Sequence, residues 1–147
     1  MKPIELAKNI YWVGAVDWDI RDFHGYSTNR GTTYNAYLII DEKITLIDTV
    51  KKAFHGDLMH RIHNIIDPKK IDYIVVNHVE MDHSGSLPQV IEEVRPEKIF
   101  CSKMGHGALL RHFHREDWPY HVISPGEELS LGTRTLNFME TRMLHWP

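Results

Sequence analysis

Cysteine is the scarcest chemical resource here: Cys101 stands alone among 147 residues. One thiol cannot close an internal disulfide, and a four-cysteine zinc or iron–sulfur site cannot be assembled within the chain. Long apolar runs are missing as well; no stretch approaches the roughly eighteen consecutive apolar residues of a membrane span. The opening Met1-Lys2-Pro3-Ile4-Glu5 lacks the extended apolar core of a secretory signal. Neither sign of charge dominates. Seventeen Lys and Arg against twenty Asp and Glu leave a net −3, so there is no electrostatic reason to expect nucleic acid. Repeats, low-complexity segments and linkers are absent too. With 42% apolar and 25% charged residues, the expectation is one soluble, cytoplasmic, globular domain without nucleic acid or membrane as partner.

Histidine is the residue in excess, with eleven copies. It is the commonest metal ligand and a frequent proton carrier, so their placement matters.

The first half reads as strands: 10–16, 34–40 and 44–49, the last two joined by the short polar Asp41-Glu42-Lys43 and therefore paired as a hairpin. Residues 17–33 form a polar loop long enough to be functional. Phe54, Leu58, Ile62, Ile65 and Ile66 then fall on one face of a helix, which Asp67-Pro68 stops. Residues 71–77 are nearly all apolar, as in a strand covered on both faces. A helix from about Ser86 follows, with Pro88 in its first turn and Leu87, Val90, Ile91 and Val94 facing inward. A strand at 98–101, a helix at 103–114, a strand at 120–123 and a hairpin at 128–140 turning at 131–134 complete the pattern. Hairpins followed by strand–helix alternation predict an α/β sandwich of stacked sheets with helices outside. The chain stops at His145-Trp146-Pro147 directly after a predicted strand, which reads as a cut end.

The chemistry concentrates in His78-Val79-Glu80-Met81-Asp82-His83, immediately after the strand ending at Asn77. Four ligand-type side chains lie within six residues at the end of a buried strand, where a rigid scaffold meets a loop free to wrap an ion. His78 and Glu80 can turn toward one ion, Asp82 and His83 toward a second. The competing reading is a solvated polar loop with one satisfied histidine, and the density of ligands weighs against it.

His-x-Glu-x-Asp-His resembles the metal motif of flavodiiron proteins, a branch of the metallo-β-lactamase superfamily whose hydrolytic members typically carry His where Glu80 stands. Asp22-Phe23-His24-Gly25-Tyr26, Gly31-Thr32-Thr33-Tyr34-Asn35-Ala36-Tyr37 and Glu140-Thr141-Arg142-Met143-Leu144-His145-Trp146-Pro147 are similar to the rubredoxin-linked oxygen reductase type of that family. The resemblance covers essentially the whole chain. It implies a metallo-β-lactamase-like αββα sandwich, here its N-terminal portion over 1–147, incomplete at the C-terminal end. It implies a diiron centre: His78, Glu80 and His145 on one iron, a two-histidine, one-carboxylate set suited to non-haem iron, and Asp82 on the second. His83 is a less firm ligand, since the equivalent histidine swings away in some relatives.

The resemblance further implies Asp48 as a strand-end aspartate that orients a ligand histidine or supports the loop, against the simpler reading of a turn-capping carboxylate. It implies His24 beside the oxygen-binding face, holding a proton or hydrogen bond for the catalytic step, against the reading of a surface histidine. In the family the bridging carboxylate, a last histidine and a flavodoxin-like FMN domain lie beyond the position of His145. The FMN meets the iron pair of the partner in a head-to-tail homodimer or a dimer of dimers. The expected function is reduction of O2 to water, or of NO to N2O, with electrons from rubredoxin through FMN, the isolated chain being inactive. A zinc-dependent hydrolase of the same fold and a non-catalytic diiron oxygen sensor are the alternatives.

The other seven histidines, 55, 60, 63, 106, 112, 114 and 121, read as solvated or partly buried side chains. Gly105-His106-Gly107 lacks the third glycine of a dinucleotide fingerprint, Leu110 standing there. Ser84 and Ser86 read as helix caps and Cys101 as a small core residue.

Overall fold

A computed structural model describes residues 2–139. In chain order it contains β1 (Ile4–Ala7), β2 (Ile10–Trp12), β3 (Ala15–Asp17), β4 (Asp22–Phe23), β5 (Tyr26–Ser27), β6 (Thr32–Tyr34), β7 (Tyr37–Ile39), β8 (Thr45–Ile47), α1 (His55–His63), β9 (Tyr73–Val75), α2 (Met81–Ser84), α3 (Leu87–Val94), β10 (Lys98–Cys101), α4 (Lys103–Phe113), β11 (Tyr120–Val122), β12 (Glu128–Ser130) and β13 (Thr135–Asn137). Seven strands form one mixed sheet in the order β1-β2-β7-β8-β9-β10-β11, and β3–β6, β4–β5 and β12–β13 pair separately.

The large sheet has two halves with different origins. Hairpin connections make β1, β2, β7 and β8 antiparallel, while helical crossovers make β8, β9, β10 and β11 parallel. A row of aligned residues, Leu38, Leu46, Ile74 and Ile99, crosses the centre. All four are fully buried, each contributing about 2 kcal/mol by leaving water. Leu58, Met59 and Ile62 of α1, Leu87, Val90, Ile91 and Val94 of α3, and Ala108 and Leu109 of α4 belong to the same core cluster. Among the described residues no helix is long and apolar enough to cross a membrane.

The segments at 10–16 and 34–40, each expected as one strand, are each broken in the middle. β2 pairs with β7 in the large sheet, and β3 pairs with β6 outside it. The two segments turn this corner side by side, with Val13 N–H donating to Ala36 O at 2.9 Å. Gly14 makes the approach feasible: a Cβ there would collide with Tyr34 O and stand 2.9 Å from Ala36 N. Alternation of apolar residues runs straight through such a corner, so it leaves no mark on the pattern.

The helix expected through Ile66 ends at His63, with Asn64 Nδ2 donating back to His60 O at 2.7 Å. Ile65 and Ile66 still pack against the core, from a turn whose amides both donate to Ile62 O. Strand β1 and the short hairpin β4–β5 had no counterpart in the sequence pattern. The expected turn at 131–134 is present and is clasped to the β7–β8 turn. Asp41 accepts from Thr133 N at 3.0 Å, Thr133 Oγ1 at 2.8 Å and Arg134 Nη1 at 2.9 Å, and Arg134 Nη2 donates to Lys8 O at 2.7 Å.

Two outcomes are expected. Gly14→Ala should destabilise the fold by roughly 3 kcal/mol, read as a shifted midpoint in urea unfolding, because backbone must move to admit the methyl. The Thr133 amide, with the Thr133 hydroxyl and Arg134, holds the Asp41 carboxyl well below its ordinary range. A lowered carboxylate pKa stabilises the fold above its unfolded value and loses that contribution as pH falls through the folded one. Acidification should therefore release amide-exchange protection in β12–β13 before the central sheet opens, and Asp41→Asn should show the release already at neutral pH.

Candidate metal centre

The parallel register of β8 and β9 places their carboxyl ends side by side, the usual location of binding loops in open α/β sheets. Asp48, the residue after β8, is buried at 7% exposure with φ 57°, a left-handed conformation that Asp tolerates better than most. Its Oδ1 accepts from Asn77 N at 2.7 Å and from His78 N at 3.0 Å. Asp48 thus holds the backbone that launches the motif, rather than hydrogen-bonding a histidine ring. Desolvation, together with the Asp82 charge, pushes the Asp48 carboxyl up to about 7 against the pull of the two amides. A cation beside it would draw that value down.

From there the chain runs extended through Glu80 (φ −64°, ψ 154°), so His78 and Glu80 share one side and Val79 the other. Val79 is buried, its Cγ1 facing the space above Gly105 of α4. The single turn of α2 then brings Asp82 and His83 back toward His78. Three further links pin this turn: Thr49 Oγ1 donates to His83 O, Ser84 Oγ donates to Val79 O at 2.7 Å, and Ser86 Oγ accepts from Val50 N at 3.2 Å. Ser86 does stand at the N-cap of α3, as expected, but its hydroxyl ties the loop to Val50, while Ser84 lies at the end of α2 and ties it to Val79. No cap bond forms from the Ser86 side chain. Thr49 escaped sequence reasoning altogether, because its role depends on β8 and the motif loop meeting in space.

The polar ends converge. His78 Nε2 lies 3.4 Å from Glu80 Oε2 and 3.9 Å from Asp82 Oδ1, and His83 Nε2 lies 3.6 Å from Asp82 Oδ2. The His78 and His83 rings are edge to face at 5.2 Å. Burial holds the His83 imidazole below its ordinary pKa, against the opposing charge of Asp82, which keeps a lone pair available. His24 joins from the loop at 17–33. That loop contains the hairpin β4–β5, turned by His24 (φ 51°) and Gly25 (φ 77°), two consecutive positive-φ residues as in a type I′ turn. The turn brings His24 Nε2 within 3.6 Å of Glu80 Oε2. One ligand atom each from His24, Glu80 and Asp82 lie within 4.8 Å of one another.

This donor set fits a cation. Donors sharing one ion at about 2.1 Å stand roughly 3 to 3.5 Å apart, so the observed separations close with small side-chain shifts. Among the described residues Asp82 Oδ1 is buried without a hydrogen-bond partner, a costly state for a carboxylate oxygen unless an ion takes it. Two carboxylates, Glu80 and Asp82, offer ligand atoms within 4.8 Å of each other, and Asp82 also acts on Asp48, which favours positive charge there. His145 lies outside the described residues.

The remaining histidines sit elsewhere. His55 and His121 pair with Glu93 and Glu127, both at 2.7 Å, His106 packs on Tyr120, and His60, His63, His112 and His114 are exposed. Cys101 is buried, its thiol pushed up to about 12 by desolvation, which removes it from any nucleophilic role.

Comparison with known proteins shows what the chain resembles. The family described as ODP family beta lactamase matches residues 32–147. The rubredoxin-oxygen oxidoreductase of Megalodesulfovibrio gigas is 55% identical over 148 residues, covering 100% of this chain and 37% of the relative. The nitric oxide reductase of Moorella thermoacetica is 47% identical, covering 99% and 37%. Among solved structures, the rubredoxin oxygen:oxidoreductase from Desulfovibrio gigas superimposes with a TM-score of 0.95 at 55% identity, over 99% of this chain and 36% of that one. The flavodiiron protein from Giardia intestinalis gives 0.94 at 37% identity, over 100% and 36%. The chain spans just over a third of the length of these relatives.

Asp48→Ala should weaken uptake of a divalent ion roughly 10- to 100-fold and cost about 2 kcal/mol through two unsatisfied amides. Asp48→Asn, which keeps an acceptor and tolerates positive φ, should lose far less. Isothermal titration of metal and thermal unfolding check both.

Proposed function

The chain belongs to the ODP β-lactamase family, and from that premise we propose that it supplies the two-iron site of an oxidoreductase that reduces O2 to water, with NO reduction to N2O as the sister activity. Its relatives of both named activities match along essentially the whole chain. The observation that carries the iron assignment is Glu80. A carboxylate stands inside the cluster where zinc hydrolases of this superfamily typically carry imidazole, 3.4 Å from His78 Nε2. Carboxylate oxygen is harder than imidazole nitrogen and bears charge, which favours iron and stabilises its oxidised form.

In this reading His78, Glu80 and His145 would hold one iron, and Asp82 with His83 would contribute to the second. Bound there, an iron pair would supply electrons in quick succession, the chemistry needed to reduce O2 without release of peroxide. The residues of the chain provide the setting. Asp48 fixes the amides of Asn77 and His78 and so the direction of the ligand loop. Val79 plugs the loop into the core and keeps water from its back. His24, at the open side beside Glu80, holds a proton or a hydrogen bond for the incoming molecule. In this reading reduced rubredoxin would be the electron donor through an FMN held outside these residues, in a head-to-tail homodimer or a dimer of such dimers.

Anaerobic competition between Fe(II) and Zn(II) for the 147-residue chain tests the assignment. The native chain should retain iron, and Glu80→His should raise its preference for zinc over iron roughly tenfold. An unchanged preference, or failure of the native chain to hold iron, would sink the iron reading and favour a zinc-dependent hydrolase.

A further inference from the structure

We propose that Asn35, pinned by Trp12, is the positioning residue for His83: its backbone carbonyl accepts the Nδ1 proton of the imidazole and leaves the Nε2 lone pair facing Asp82. The inference rests on the iron-site reading above and deepens it, because it decides whether His83 stands inward for the second iron.

The main chain of His83 is tied by Thr49, whose Oγ1 donates to His83 O, but that tie does not reach the ring. The ring sets Nε2 3.6 Å from Asp82 Oδ2. Its other nitrogen, Nδ1, is buried without a hydrogen-bond partner of ordinary geometry among the described residues. Burial lowers the pKa of this imidazole, and the Asn35 backbone works against it as an acceptor. A small turn of the ring would close that bond. In a neutral imidazole, the nitrogen that donates leaves the other with the lone pair. A carbonyl on Nδ1 therefore selects the tautomer that a cation needs on Nε2.

Asn35 suits the task because of where it lies. It falls between β6 and β7, inside neither strand, at the corner where Val13 N–H donates to Ala36 O. Its side chain is pinned from across that corner, Trp12 Nε1 donating to Asn35 Oδ1 at 2.9 Å. Trp12 is held in turn by its pairing with Tyr37 and by the Arg61 guanidinium, 5.2 Å from its ring. Arg61 is 3% exposed. Its Nε and Nη1 have no hydrogen-bond partner among the described residues, and Asp57 Oδ1 stands 3.9 Å from Nη1. The indole face is thus the main support of a buried cation. This gives Arg61 a role that nothing else in the site explains: it links α1, through Trp12 and Asn35, to His83.

The test uses the full 147-residue chain without metal, read by nitrogen NMR of the imidazoles at about pH 8, where histidine is neutral. His83→Gln identifies the signals. The native chain should carry the His83 proton on Nδ1. In Asn35→Ala the ratio of Nδ1–H to Nε2–H should fall about threefold or more. Trp12→Phe, which keeps an aromatic face for Arg61 and removes only the indole N–H, should do the same. Asn35→Asp retains an acceptor for Trp12 and should match the native chain. So should Asp41→Asn, which loosens the β12–β13 clasp and separates positioning from general destabilisation. A native proton on Nε2, a ratio unmoved in Asn35→Ala, or an equal fall in Asp41→Asn would overturn the proposal and leave the metal site standing. Failure of the native chain to hold iron in the competition above would overturn the ligand role of His83, while the tautomer readings still decide its tie to Asn35.

Discussion

The candidate site hangs on a single buried carboxylate. Parallel pairing of β8 with β9 sets Thr45, Leu46 and Ile47 beside Tyr73, Ile74 and Val75, and both strands then run out at the same edge. At that edge the chain must leave the sheet without stranding amides in the interior. Asp48 accepts two of them at once. Charge-assisted bonds of this kind contribute about 1.5 to 3 kcal/mol each, which offsets much of the several kcal/mol that burying an isolated carboxylate costs. The result is a ligand loop whose direction is settled before any ion arrives, a precondition for selecting among metals by geometry rather than by raw affinity.

The second constraint is the corner at Gly14. Strands β2 and β7 lie in the large sheet, and their continuations β3 and β6 leave it together. This places Tyr34 at the end of β6 in the core, its ring 5.4 Å from Phe54 and its hydroxyl donating to Asp17 at 2.8 Å. Tyr34 also backs Phe23, and through it the loop that presents His24. Gly14, ten residues before His24 in sequence, thus helps set where one of the polar groups of the site can stand.

Much of this was legible in the residues. The β9 strand, the α3 and α4 helices and the ligand-dense loop after Asn77 follow from apolar period and residue type. Their neighbours in sequence are their neighbours in space. What escaped was non-local. The corner at Gly14 depends on Tyr34 and Ala36 approaching from twenty residues further on. Thr49 and Ser86 act through bonds between the chain after β8 and the motif loop, and Ser84 ties that loop to Val79; the N-cap position of Ser86 was legible, but not the bond of its hydroxyl to Val50. The hairpin at 22–27 is two residues per strand, too short for alternation to register. The place of His24 in the cluster follows from that hairpin and from Phe23, which rests it on Tyr34.

The lone cysteine has a practical consequence. Burial pushes the Cys101 thiol up and sets its sulfur in the core, which disfavours the reactive thiolate at neutral pH. The native chain therefore behaves toward maleimides and spin-label reagents as if it had no cysteine. A single engineered thiol on the surface can be tagged without first removing Cys101 and disturbing the strand that carries it.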